Sequence, residues 1–167
     1  EVLLSAVSPL ELMAGKILGQ MAVSAVALGL YVLMGGALLA SFALFDLVDP
    51  WLLFYLAIFF SITYLVIGSL MAAIGAAVNE AKEAQSMMGP LMIVLIIPMM
   101  LQVPISQNPN SAFSTAISFV PPVNTFAMLI RMASTSPPPL WQVWLSIAIG
   151  VASALAAVWF ASKVFRI

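Results

Sequence analysis

The residues able to do chemistry in this chain are few enough to weigh one by one. With no histidine and no cysteine among 167 residues, the commonest general base and metal ligand is missing, as is any thiolate nucleophile or disulfide framework. A Ser-His hydrolase is thereby excluded. A Ser-Lys variant finds no lysine inside an apolar run to activate a buried serine, because Lys82 and Lys163 both flank such runs. Glu80, Lys82 and Glu83 stand together in the stretch NEAKEA, where a solvated loop or helix end is a simpler reading than a catalytic or metal cluster. Asp46 and Asp49 read as an interfacial turn, and two carboxylates fall short of the roughly six to eight oxygens that calcium takes. The run AGKILG contains a Gly-Lys pair, but Leu10 stands where a phosphate loop needs its first glycine and Ile17 where it needs a hydroxyl. No ATP, cofactor or metal is therefore assigned to the chain itself.

What remains is neutral polarity inside long apolar runs: Gln20, Ser24 and Tyr31; Ser61, Thr63, Tyr64 and Ser69; Ser146 and Ser153. Tyr31, Ser61, Thr63, Tyr64 and Ser69 are the candidates to line a pathway. The simpler reading is that each hydroxyl bonds its own or a neighbouring helix. Small residues recur four apart at Gly68, Ala72 and Ala76 and again at Ser146, Gly150 and Ala154, which lets helix backbones approach closely.

The elements that must carry these residues belong in a membrane. A chain that is 64% hydrophobic and only 7% charged has too little polar surface to coat a soluble globule. Its net charge of -1 supplies no electrostatic footprint for nucleic acid. Charge-free runs over 17–45, 51–78, 86–103 and 140–161 each read as a membrane span, since a helix needs roughly 20 residues to cross the hydrocarbon. Gly35-Gly36 marks the place where the first span tilts strongly or breaks. Pro90 and Pro98 are expected to bend the third. Between 104 and 139 two apolar stretches, Ala112 to Val120 and Val123 to Met132, are too short to cross and are parted by Pro121-Pro122. They read as a re-entrant pair of short helices. The fold expected is an all-α integral membrane protein of four transmembrane helices with that pair and an N-terminal surface segment over 1–16. In that segment Ser8, Pro9 and Glu11 form a capping box that starts a helix near Pro9.

Orientation follows from the basic residues. Lys16, Lys82, Lys163 and Arg166 fall on one side and Arg131 on the other, which makes the first side cytoplasmic. Both termini, the 79–85 connection and the 162–167 tail are then cytoplasmic, and the 104–139 region is extracytoplasmic. The chain opens at Glu1 with neither a methionine nor a signal peptide, so a missing N-terminal part is expected.

Two runs carry a family resemblance. EVLLSAVSPLELMAGKILGQ, from Glu1 to Gln20, resembles the cytoplasmic segment before the third membrane helix of type-2 ABC exporter permeases, particularly the sodium-efflux subgroup. GSLMAAIGAAVNEAKEAQSMMGPLMIVLIIPMM, from Gly68 to Met100, is similar to the fourth and fifth helices of that subgroup, and the likeness continues through FVPPVNTFAMLIRM. The resemblance implies the C-terminal membrane half of a permease in the inner, or plasma, membrane. It would lack two N-terminal helices and an extracytoplasmic domain, pair with a second permease copy or homologue, and work on ABC ATPase subunits that bind ATP and Mg2+. It implies further that the segment holding Val2, Leu3, Leu4, Val7 and Glu11 touches the ATPase, that the short outward helices close the pathway, and that transport runs by alternating access. Sodium or a hydrophobic cargo would suit such a permease. The rival class is a non-transporting membrane scaffold or assembly subunit, to which spans without charge are equally suited.

Overall fold

A computed structural model describes residues 9–42, 49–78 and 80–164. These residues form six helices and no strand: α1 Pro9–Ser41, α2 Pro50–Ala77, α3 Ala81–Gln107, α4 Ala112–Ile117, α5 Asn124–Met132 and α6 Leu140–Val164. Four of them, α1, α2, α3 and α6, are long and apolar enough to cross a membrane. Their exposed surfaces carry large apolar side chains such as Leu18, Leu33, Ile93, Met99 and Leu155. In water such exposure would be costly, whereas lipid accepts it.

Local chemistry sets several of the boundaries. Helix α1 opens at Pro9 with Glu11 in its first turn, a position where proline gives up no hydrogen bond and a carboxylate meets the positive end of the helix dipole. At 33 residues it is about 50 Å long, well beyond the hydrocarbon thickness. Residues 9–16 are therefore continuous with the first span, and the helix runs unbroken through Gly35-Gly36. Asp49 caps α2: its side chain accepts from the Trp51 backbone N–H at 2.9 Å, with Pro50 at the first helical position. In α3, Pro90, Pro98 and Pro104 all lie inside one continuous helix, so the carbonyls four residues before each lack a backbone donor.

The central pair is α2 against α6. On α2 the buried positions Phe59, Ile62, Val66, Ser69 and Ala73 fall three or four apart, and on α6 the facing set is Val143, Ser146, Gly150, Ala154 and Ala161. The small stripe Ser146, Gly150 and Ala154 is thus a seam within the molecule, with larger side chains of α2 packed into it. At Gly150 the approach is so close that a Cβ would stand 2.9 Å from Ile62 Cγ2. Helix α1 joins this pair near one end. Ile17, its one buried residue among those described, packs with Ala73 and Ala161. Gly68 and Ala72 face the same contact. Helix α3 leans mainly on α5 and touches α2.

Candidate functional site

The polar chemistry collects on α5, at the end of the molecule away from Lys82 and Lys163. Helix α5 is strongly two-sided, with Asn124, Thr125, Ala127, Met128 and Arg131 all buried. Met128 fills the apolar part, joining Phe59, Ile62 and Val143 in a core cluster. The polar members each tie α5 to a different element.

Arg131 is 0% exposed. Its Nε donates to the Pro109 carbonyl at 2.6 Å, Nη1 to Ser118 Oγ at 3.0 Å, and Nη2 to Gln142 Oε1 at 2.6 Å and to Asn110 Oδ1 and Thr115 Oγ1 at 3.3 Å. Every acceptor is neutral, and among the described residues no carboxylate pairs with the guanidinium. Burying a lone cation costs several kcal/mol unless its donors are met; here the five acceptors come from the 108–111 turn, α4 and the start of α6. Burial still pushes the guanidinium pKa below its ordinary value, yet arginine starts so high that it keeps its charge. The acceptors are themselves positioned. Ser118 Oγ donates to the Ser114 carbonyl, Ser114 Oγ donates to the Asn108 carbonyl, and Asn110 Nδ2 donates to the Ser136 carbonyl. Ser111 caps α4 by accepting from the Ser114 N–H. One guanidinium therefore holds α4, α5, the start of α6 and, through Asn110, the Pro-rich loop in one arrangement.

The other two ties run to the central pair. Asn124 Nδ2 donates to the Ser146 carbonyl at 3.0 Å and to Ser146 Oγ at 3.3 Å, beside Gly150. Its Oδ1 is buried without a partner. Thr63 and Thr125 hydroxyls meet at 2.7 Å, and Thr125 Oγ1 also reaches the Pro122 carbonyl at 3.1 Å. Thr63 Oγ1 also reaches the Phe59 carbonyl of its own helix at 2.9 Å, so the two hydroxyl protons are shared among three contacts. The Pro121-Pro122 bond between the short helices is cis. Next to α5 a cavity of about 800 Å³ opens between Asp49, Trp51, Tyr55, Ser134 and Pro139.

The five pathway candidates do not converge. Tyr31 stands exposed on α1. Ser61 bonds the Ala57 carbonyl and, like Tyr64, faces grooves shared with α1. Thr63 faces α5, and Ser69 is buried against its own helix, bonded to the Leu65 carbonyl. Of the residues expected to touch an ATPase, Val2, Leu3, Leu4 and Val7 lie outside the described residues, as does Ser8 of the capping box. Glu11 lies exposed on the first turn of α1.

In the sequence Arg131 stands only as a topology-setting charge, and its place at the centre of a network emerges with the fold. A signal was present: Ser111, Ser114, Thr115 and Ser118 recur at three and four residues, a hydroxyl stripe on a short helix otherwise apolar. Such a stripe asks for a buried polar partner.

A family model described as "ABC-2 family transporter protein" matches residues 1–163. The chain is 32% identical over its full length to uncharacterized protein MJ1024 of Methanocaldococcus jannaschii, of which it covers 41%. It is 22% identical over 99% of its length to uncharacterized protein YhaP of Bacillus subtilis, covering 42% of that protein. The chain thus spans about two-fifths of the length of these curated relatives. No solved structure matches it.

Proposed function

The chain belongs to the ABC-2 family of transporter proteins, and on that premise we propose that it supplies membrane helices to an ATP-driven exporter whose ATP is hydrolysed by separate subunits. The observation that carries this reading is the family match over residues 1–163 on a chain with four membrane-length apolar helices. The family's permease is the transmembrane component, and an ATPase partner is the source of energy that such a component requires. Two copies, or one copy and a homologue, would face each other across the pathway in the plasma membrane, with both termini cytoplasmic.

The packing supports a mechanical route for coupling. An ATPase gripping residues 1–8 would move the start of α1, which is helical from Pro9 onward. That movement reaches the rest of the molecule where Ile17 meets Ala73 and Ala161. The α2–α6 pair, locked at Gly150, carries it as one body to α5 at the opposite end. There the Arg131, Asn124 and Thr125 contacts hold the short helices closed, and transport requires that this arrangement have a second, open state. Sodium and hydrophobic solutes are the two cargo classes to test.

Copurification tests the coupling. The protein isolated in mild detergent brings down an ATPase subunit and its Mg2+-dependent hydrolysis. Changing both Leu4→Asp and Val7→Asp removes that activity while membrane insertion is kept. A variant pair that copurifies with normal ATPase activity refutes the coupling site, and wild-type protein that never brings down an ATPase supports the scaffold reading instead.

A further inference from the structure

The cavity beside α5 is large enough for a whole small molecule, at about 800 Å³ against the roughly 300–1,000 Å³ of ligand pockets. The start of α2 gives it Asp49, Trp51 and Tyr55, the end of α5 gives it Ala133, and the 137–139 prolines form another wall. Proline fixes its own φ, so that wall needs little ordering before a ligand arrives.

One charge lines the cavity, and it is negative. Asp49 is exposed there, with one carboxylate oxygen accepting from the Trp51 N–H at 2.9 Å. Among the described residues nothing bonds the other oxygen and no cation pairs with the group. Arg131, the basic side chain at this end, is committed to its five neutral acceptors. Two aromatic rings share the cavity with the carboxylate. Trp51 and Tyr55 stand four residues apart and so lie on one face of α2. The Tyr55 ring is set by edge contacts to Phe54 at 5.7 Å and Trp144 at 6.5 Å. An aromatic face attracts a cation within about 6 Å of its centre. Carboxylate and rings therefore favour the same sign of charge, and the proline and leucine hydrocarbon favours an apolar body around it.

We propose that this cavity binds a free lipophilic organic cation, its charge held by Asp49 and the rings of Trp51 and Tyr55 and its apolar groups by the prolines. A hard metal ion does not suit the site, because one carboxylate falls short of the oxygens that it takes. A lipid headgroup does not suit it either: its ammonium is tied to a phosphate, and no basic residue of the cavity meets that second charge. The proposal stands apart from the transport reading, since binding needs neither ATP nor an ATPase.

Equilibrium dialysis of the protein in phosphatidylcholine nanodiscs, against empty nanodiscs, tests this with tetraphenylphosphonium and tetraphenylborate, which share a shape and differ in the sign of charge. Tetraphenylphosphonium fills one saturable site beyond the empty discs, and tetraphenylborate does not. Asp49→Asn keeps the α2 cap, because asparagine caps as well as aspartate, and weakens binding about tenfold through the lost charged contact. Trp51→Leu, at a position 68% exposed, weakens it about threefold. Ala133→Trp fills the cavity from an exposed position and abolishes binding. The proposal is overturned if tetraphenylphosphonium shows no saturable site, if tetraphenylborate binds as well, or if any of the three variants binds like the parent. A photo-crosslinker at Ala133 that captures lipid or another polypeptide equally with and without the cation overturns it too.

Discussion

Replacing Arg131 with methionine removes a buried cation without opening a large cavity, and the structure sets what that should cost. Three acceptors are held at short range, the Pro109 carbonyl at 2.6 Å, Gln142 Oε1 at 2.6 Å and Ser118 Oγ at 3.0 Å. Ser118 is buried and the other two are part-buried, so an acceptor left without a donor costs at most about 1–3 kcal/mol, the full amount only where water cannot reach it. Against this stands the relief of no longer burying a lone cation, worth several kcal/mol after relaxation. Asn110 is exposed and returns to water, so its contact counts for little. The two effects partly offset, and Arg131→Met should lose about 1–3 kcal/mol, the usual span for a substitution that breaks a buried hydrogen-bond network. Arg131→Lys keeps the charge, but a point ammonium cannot span the acceptors that the planar guanidinium reaches, and it should lose at least about 1 kcal/mol. Denaturant unfolding in a fixed micelle reads both numbers, and protease accessibility of the 109–139 region shows whether the loss is local to the short helices. An Arg131→Met protein as stable as the parent, with that region equally protected, would refute the view that this guanidinium clamps α4, α5 and α6 together.

Two further outcomes follow from the packing and the charges. Gly150→Ala places a Cβ 2.9 Å from the stiff Ile62 Cγ2 and should cost about 1–3 kcal/mol by overpacking. Combining it with Ile62→Ala should cost clearly less than the sum of the two, as double-mutant unfolding would show, and strict additivity would mean that the α2–α6 seam relaxes freely. In this naturally cysteine-free chain, single cysteines at Lys82 and Thr135 should label from opposite faces of the membrane, the first from the cytoplasm. Labelling of both from one face would refute the four-span topology.

Much of the fold was legible because a membrane helix must be apolar on every side and long enough to cross. The four charge-free runs announce α1, α2, α3 and α6 directly. A break at glycine was less legible. Gly35-Gly36 lies within continuous helix, as do three prolines of α3, because backbone preferences of single residues yield to the need for internal hydrogen bonding in lipid. The α5 network was largely hidden. The acceptors of Arg131 stand 11 to 22 residues away in the chain, they are neutral, and no charged partner flags them. Thr63 and Thr125 are 62 residues apart, so only the folded arrangement shows that they meet. By contrast, the reading that in-span hydroxyls serve their own helices was available from the sequence, and Ser61, Ser69 and Ser153 each bond the carbonyl four residues back.

The proposed permease role is met most directly by flux through vesicles that hold this protein with its ATPase partner, loaded in turn with sodium and with a hydrophobic fluorescent probe. An ATP-driven exporter moves at least one of them only when ATP is supplied on the ATPase side and only when this chain is present, and Arg131→Met alters that flux without preventing ATPase binding. ATP-dependent movement that persists after the chain is left out would contradict the account, as would a complex that hydrolyses ATP with no effect on either flux.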